Sequence, residues 1–172
     1  MSILFQNKNL NIDKRIVFYI IKYRRLVITM EILNRRARYD YFILEEIEAG
    51  IVLTGTEIKS IRLGKVNLKD SYAIIRNEEI YLLNTHISSY EKGNIFNHEE
   101  NRTRKLLLHK NQIKKLQNKV TLEGCTLIPL KIYFVKGRAK VLIGLCKGKK
   151  NYDKRESIKE RDIQRELQKG LK

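Results

Sequence analysis

The chain has 172 residues, 42% of them hydrophobic, enough for one domain with its own core plus extensions. Thirty-six Lys and Arg stand against 19 Asp and Glu, a formal net charge of +17 at pH 7. That surplus draws a protein toward polyanions, whether RNA, DNA or an anionic membrane, and charge alone does not choose among them. Cys125 and Cys146 lie in apolar segments and read as free buried thiols; with three scattered histidines they offer no metal-ligand spacing, so no metal or cofactor is expected.

At the start of the chain, Ile16-Val17-Phe18-Tyr19-Ile20-Ile21 is apolar but is broken by Lys22, Arg24 and Arg25. It falls far short of the roughly 20 residues of a membrane span, and no small-residue cleavage pattern follows it. Neither a membrane segment nor a signal peptide is expected. Residues 41–53 suit one or two strands, with Gly50 as a break or bulge. Thr56 is a plausible cap for a short helix that turns Ile58, Ile61 and Leu63 inward and closes at Gly64. Residues 71–76 and 80–84 read as a hairpin turning at Asn77-Glu78-Glu79, and 88–104 as a long polar loop. Residues 109–122 have helical periodicity, with Ile113, Leu116 and Val120 on one face and Gly124 as the stop. Residues 126–134 and 139–145 form a second hairpin around Lys136-Gly137-Arg138.

About six short strands and two short helices cannot make an open parallel sheet. The hairpins argue for antiparallel pairing in a small closed barrel, mainly β, with flanking helices. After a basic Gly148-Lys149-Lys150 hinge no core-building pattern remains. Ile158, Ile163, Leu167 and Leu171 would make one thin apolar stripe on a highly charged helix. So short a helix is marginal alone, and the free tail is expected to be largely disordered.

Asp40, Glu45, Glu46 and Glu48 invite a metal-dependent nuclease reading. Neighbouring strand residues point to opposite faces, so Glu45 and Glu46 cannot share a site, and no catalytic His, Lys or Ser stands beside them. No catalytic residues are assigned and an enzyme is not expected. Glu48 alone has two readings, an acceptor for the N–H edge of an unpaired base or an internal salt bridge with a lysine. Arg35, Arg36 and Arg38 beside Tyr39 and Tyr41 could hold phosphates and stack on bases, or form a solvated arm over two core tyrosines. Lys147, Lys149, Lys150, Lys154 and Arg155 can neutralise phosphate, and Tyr152 can stack.

Five blocks occur in order: Tyr39-Asp40-Tyr41-Phe42-Ile43; Glu48-Ala49-Gly50-Ile51-Val52-Leu53-Thr54-Gly55-Thr56-Glu57; Asn67-Leu68-Lys69-Asp70-Ser71-Tyr72-Ala73; Thr103-Arg104-Lys105-Leu106-Leu107-Leu108-His109-Lys110; and Gly148-Lys149-Lys150 with Asp153-Lys154-Arg155. Together they resemble small protein B, the SsrA-binding protein family of bacteria, from about Asn34 to the C-terminus. The resemblance implies an oligonucleotide-binding-type (OB) barrel. It also implies binding of the tRNA-like domain of transfer-messenger RNA and its delivery to stalled ribosomes for trans-translation, in the cytoplasm.

The expected organisation is an extension over 1–33, an OB-like RNA-binding barrel over 34–150 and a tail over 151–172 that becomes helical on the ribosome. Met30 is read as the natural start. The RNA-contact positions implied are Asn34, Glu48, Leu107, His109 and Lys140, beside the arginines above. Leu107 has a competing reading as a plain core residue. Lys147, Lys149, Lys150, Tyr152, Asp153, Lys154, Arg155, Ile158 and Ile163 make up the implied ribosome-binding tail. Tyr39, Ser89, His109, Ile163 and Gly170 depart from common family residues, which bears on contact detail. Partners implied are transfer-messenger RNA, the decoding region and messenger channel of the small ribosomal subunit, and elongation factor Tu through the aminoacylated RNA; the protein is expected to be a monomer away from membranes. The rival reading is a ribosomal or ribosome-assembly protein with a similar barrel.

Overall fold

A computed structural model describes residues 31–93 and 97–170 of the chain. Of the extension expected over 1–33, residues 1–30, with the choice of Met30 as a start, lie outside them, whereas Ile32 and Leu33 form a strand paired with Ile132 and Lys131. The fold is mainly β with short helices. In chain order it runs β1 (Ile32–Leu33), α1 (Ala37–Asp40), β2 (Tyr41–Ile51), α2 (Gly55–Arg62), β3 (Val66–Asn67), β4 (Tyr72–Arg76), β5 (Glu79–Leu83), β6 (His86–Ile87), β7 (Arg104–Leu107), α3 (Lys110–Glu123), β8 (Thr126–Val135), β9 (Arg138–Gly148) and α4 (Asn151–Gly170).

Both predicted hairpins form, each through a two-residue turn. Asn77 and Glu78 (φ 50° and 58°) join β4 to β5, and Lys136 and Gly137 (φ 48° and 79°) join β8 to β9. Positive φ at both central residues gives the turn whose twist matches the flanking strands. Strand pairing runs β8–β4–β5–β7–β2–β9, and β9 pairs again with β8. β1 adds to the far side of β8, and β3 pairs with β6 separately.

The expected break at Gly50 is absent. Gly50 pairs in register with Leu107 on one side and Lys140 on the other. The irregularity comes earlier, where Leu44 is an extra residue between Ile43 (opposite Cys146) and Glu45 (opposite Leu145). An extra residue reverses which side chains face in. Before it, Tyr41 and Ile43 join Ala37, Ile128, Leu130 and Cys146 in a small outer cluster. After it, Ile47, Ala49 and Ile51 turn into the main core with Ile80, Leu82, Leu106, Ile132, Val141 and Leu145. The segment through α1 thus covers one end of the outer sheet face and leaves the other end open.

Helix α2 begins at Thr54, not Thr56. Thr54 and Glu57 form a reciprocal capping box, with the Thr54 N–H donating to Glu57 Oε2 at 2.7 Å. Ile61 is buried as expected, but Leu63, at the helix end, is exposed. Helix α3 buries Ile113 and Leu116, and Gly124 ends it in the left-handed conformation (φ 64°).

The segment after the hinge, expected to be largely disordered when free, is wound into the single helix α4. Its first turn is tied down: Asp153 accepts from the Lys150 N–H at 2.9 Å, and Lys154 Nζ meets Asp40 Oδ1 at 2.9 Å. Of the predicted apolar stripe, Ile158, Ile163 and Leu167 are exposed, and Leu171 lies outside the described residues.

Candidate nucleic-acid interface

The open end of the outer face is built by register. Leu107, Gly50, Lys140 and Tyr133 are successive cross-strand partners on β7, β2, β9 and β8. Directly opposed residues in antiparallel strands share a face, so these four form one row. The neighbouring row is Glu48, Leu142 and Lys131. Leu107 is 53% exposed, so it is no core leucine. A Cβ at Gly50 would lie 3.1 Å from Leu107 Cβ, so glycine leaves the close fit between these strands unobstructed. His109, just beyond β7, is exposed and begins α3, with its N–H bonded to the Gln112 side chain at 3.1 Å.

Glu48 is where its two readings meet. Its Oε1 lies 3.1 Å from Lys140 Nζ, and its Oε2 accepts from the Tyr133 hydroxyl. These bonds, Tyr133's first and Lys140's second, hold its carboxyl below the usual carboxylate range. The internal salt bridge therefore exists, with the same lysine that the resemblance puts among the contacts. The side chain remains 46% exposed, so the pairing does not close it off.

The other acids of the nuclease reading are each paired with cations: Asp40 with Arg36 at 2.8 Å and Lys154 at 2.9 Å, Glu45 with Lys119, and Glu46 with Arg38 at 3.5 Å. Among the described residues no cluster of His, Cys, Asp and Glu could hold a metal ion.

Asn34 is buried and its amide is occupied internally. It donates to the carbonyls of Leu68 and Pro129 at 3.0 Å each and accepts from the Ala37 N–H at 3.2 Å. Its place is therefore to seat α1 on β8, not on an exposed surface. Arg35, Arg36 and Arg38 are all exposed around α1. They lie at the covered end of the outer face, apart from the row of Leu107 and Lys140.

The tail begins beside α1. Lys149 donates its backbone N–H to Asp40 O at 2.9 Å, and its Nζ sits 4.8 Å from the Phe42 ring centroid. Lys154 reaches Asp40 and lies 5.6 Å from the Tyr39 ring. Lys147, Lys150, Tyr152 and Arg155 are exposed, as are Ile158 and Ile163; Asp153 is half-buried.

A family model described as SmpB protein matches residues 31–172. The chain belongs to the SmpB family. It is 60% identical over 139 residues to the SsrA-binding protein of Shouchella clausii, covering 81% of this chain and 89% of that one. The match to the SsrA-binding protein of Enterococcus faecalis is also 60% over 139 residues, covering 81% and 90%. A chain in the solved structure described as "tmRNA-SmpB: a journey to the center of the bacterial ribosome" is 51% identical, with a TM-score of 0.61, covering 76% of this chain and 94% of that one.

Two features of this SmpB-family chain escaped the sequence reading. Tyr133 and Lys131 alternate along an otherwise apolar strand, and that spacing alone marks them as outward-facing. Asp40, weighed only as a metal ligand, is instead the tail's anchor. The bond from Lys154, with help from Arg36, holds its carboxyl below the usual range although burial opposes this. The tie therefore persists at neutral pH and is lost only as pH falls through that lowered value. Asp40→Asn is expected to speed amide exchange through the first turn of α4 while β2 stays protected; unchanged exchange would remove Asp40 from the tail's anchorage.

Proposed function

We propose that the protein binds the tRNA-like domain of transfer-messenger RNA and brings it to stalled ribosomes for trans-translation. The observation that carries this is the Glu48 carboxylate, set among Lys140, Lys131 and Tyr133 on an open sheet face, in a chain whose relatives are named for binding SsrA. An acid on the surface of a +17 protein is unfavourable near phosphate. It is useful where an exposed base edge offers N–H donors. Lysine at the flanks supplies phosphate attraction, and Leu107 supplies an apolar wall for an unstacked base.

In this reading the strand circuit from β8 round to β9 is a closed OB-like barrel over 34–150, a scaffold suited to single-stranded and loop nucleotides. The tail over 151–172 is a second, separable device. Freed from Asp40, it exchanges between disordered and helical forms, and it becomes a stable helix when the messenger channel of the small subunit is empty. Lys147, Lys149, Lys150, Lys154 and Arg155 then meet ribosomal phosphate. Coupling folding to occupancy makes the tail a detector of stalled ribosomes. The protein acts as a monomer, without a cofactor and without catalysing a reaction, and meets elongation factor Tu through the aminoacylated RNA.

Glu48→Gln tests the base-reading role. The amide keeps the shape but loses the charge and one acceptor. Binding to the tRNA-like domain, relative to bulk tRNA, is expected to fall roughly ten- to a hundredfold, by analogy with bidentate base contacts. Titrating both RNAs with both proteins checks it, and an equal ratio in the variant rejects Glu48 as a reader. Capture of the protein from cells should yield one small RNA of tRNA-like shape, whereas precursor subunits would mark an assembly protein.

A further inference from the structure

We infer that Tyr133 is a positioning residue for RNA recognition: its hydroxyl orients the Glu48 carboxylate so that one acceptor site on each oxygen is left facing outward for a base with two adjacent N–H donors. The inference rests on the base-reading role proposed for Glu48 and deepens it.

The two side chains are not on adjacent strands. Glu48 is on β2 and Tyr133 on β8, with β9 between them. Two strand spacings amount to about 10 Å, and a tyrosine is long enough to cross much of that span. Tyr133 pairs with Lys140, while Glu48 pairs with Leu142 two residues on, so the tyrosine reaches diagonally over β9. It is itself held in place. Lys131 Nζ lies 4.8 Å from its ring centroid, and Lys131 is fixed in turn by Glu31 at 2.8 Å.

The geometry divides the carboxylate's capacity. An ionised carboxylate has about four acceptor sites, two on each oxygen. Lys140 uses one on Oε1 and Tyr133 one on Oε2. One site on each oxygen is left, and together they match two parallel donors such as the N1–H and N2–H of guanine. Lys140 alone would leave the carboxylate free to swing about its last torsion, which is soft. A second bond, to the other oxygen, fixes the plane. Burial and the bond to Glu48 push the Tyr133 hydroxyl up to about 12, so it stays protonated and remains a donor at physiological pH.

Tyr133→Phe keeps the ring and its contact with Lys131 and removes only the donor. The test uses the full chain, a transcript of the tRNA-like domain, and bulk tRNA. In the free protein, carboxyl NMR should show Glu48 titrating at higher pH in the variant, a readout that lost packing alone would not produce. The ratio of specific to bulk binding should fall roughly three- to tenfold, about what one ordinary hydrogen bond contributes. The double variant with Glu48→Gln should bind no worse than Glu48→Gln alone, because the tyrosine acts only through the glutamate. If Glu48→Gln lowers the ratio but Tyr133→Phe does not, the inference fails and the reading of Glu48 stands. If neither lowers it, the base-reading role itself is wrong and the inference falls with it. An unmoved Glu48 titration, or losses that simply add in the double variant, also overturns it.

Discussion

Removal of residues 152–172 is expected to leave binding of free transfer-messenger RNA nearly intact and to abolish peptide tagging on stalled ribosomes. The reason is the separation of the two surfaces. Glu48, Lys140, Leu107 and Tyr133 sit on β2, β9, β7 and β8, and their register does not involve α4. Only the tail's phosphate attraction is lost from free-RNA affinity, and that part should shrink with added salt. The sharper form is Ile163→Pro. Ile163 lies inside α4 and is 56% exposed, so it contributes little by burial. A proline in a helix interior removes a hydrogen bond and clashes with the preceding turn, at a cost of about 3 kcal/mol or more. The same residue costs almost nothing in a chain that works unfolded. Tagging by the proline variant should therefore drop nearly as far as in the deletion, with RNA titration curves unchanged. Wild-type tagging by that variant would show that the tail does not act as a helix.

The local sequence signals account for much of this fold. The two hairpins were legible because each turn holds one residue that readily takes positive φ, Asn77 or Gly137, between apolar alternations. The stop of α3 at Gly124 was legible for the same reason. The cap of α2 is legible too, but at Thr54 and not at Thr56. Thr54 has Glu57 three residues on, whereas Thr56 has Lys59 there, and the pairing with Glu57 decides the cap.

What could not be read locally depended on distant partners. The extra residue at Leu44 exists because α1 covers one end of the outer face, and β2 must turn Tyr41 and Ile43 toward it before turning Ile47 into the main core. No window of β2 alone contains that cause. The candidate site divides in the same way. Composition gave its positive charge, family resemblance gave Glu48, Leu107 and Lys140, and only the register of four strands put those three on one face with Tyr133. For Asn34 the side chain's work was not legible, because its amide seats α1 through partners far along the chain, at Leu68 and Pro129.

Replacing Glu57 with Ala is expected to be the most destabilising single change in the body of the protein. Glu57 and Arg104 are each fully buried. Glu57 Oε1 accepts from Arg104 Nε and Arg102 Nε, at 2.8 Å each, while Oε2 accepts from Arg102 Nη2 at 2.6 Å. Arg104 also donates to the carbonyls of Thr85 at 2.7 Å and of Arg102 and Glu100 at 2.9 Å each. One carboxylate thus anchors α2 to β7 and to the loop before it. Without it the Arg104 charge is buried with no counterion, which costs about 3–5 kcal/mol. That is a large share of the roughly 5–15 kcal/mol that holds a domain folded.

Burial works to raise the Glu57 carboxyl, but the bonds from Arg102, Thr54 and Arg104 outweigh it and hold it below its ordinary value. A depressed carboxyl stabilises the fold above its unfolded value, and that support is lost as pH falls through the folded one. Acid should therefore destabilise wild type more steeply than Glu57→Ala. The measurement is the urea midpoint at neutral and at acid pH, with the slope compared to confirm that the same surface unfolds. A neutral-pH loss below about 1 kcal/mol would mean that Arg104 escapes to solvent when its partner is removed. Arg104 and Leu107 are three residues apart on the four-residue strand β7, so a variant that loosens this anchor should also blur the proposed RNA face. Binding would then fall with stability in Glu57→Ala, whereas in Glu48→Gln it falls alone.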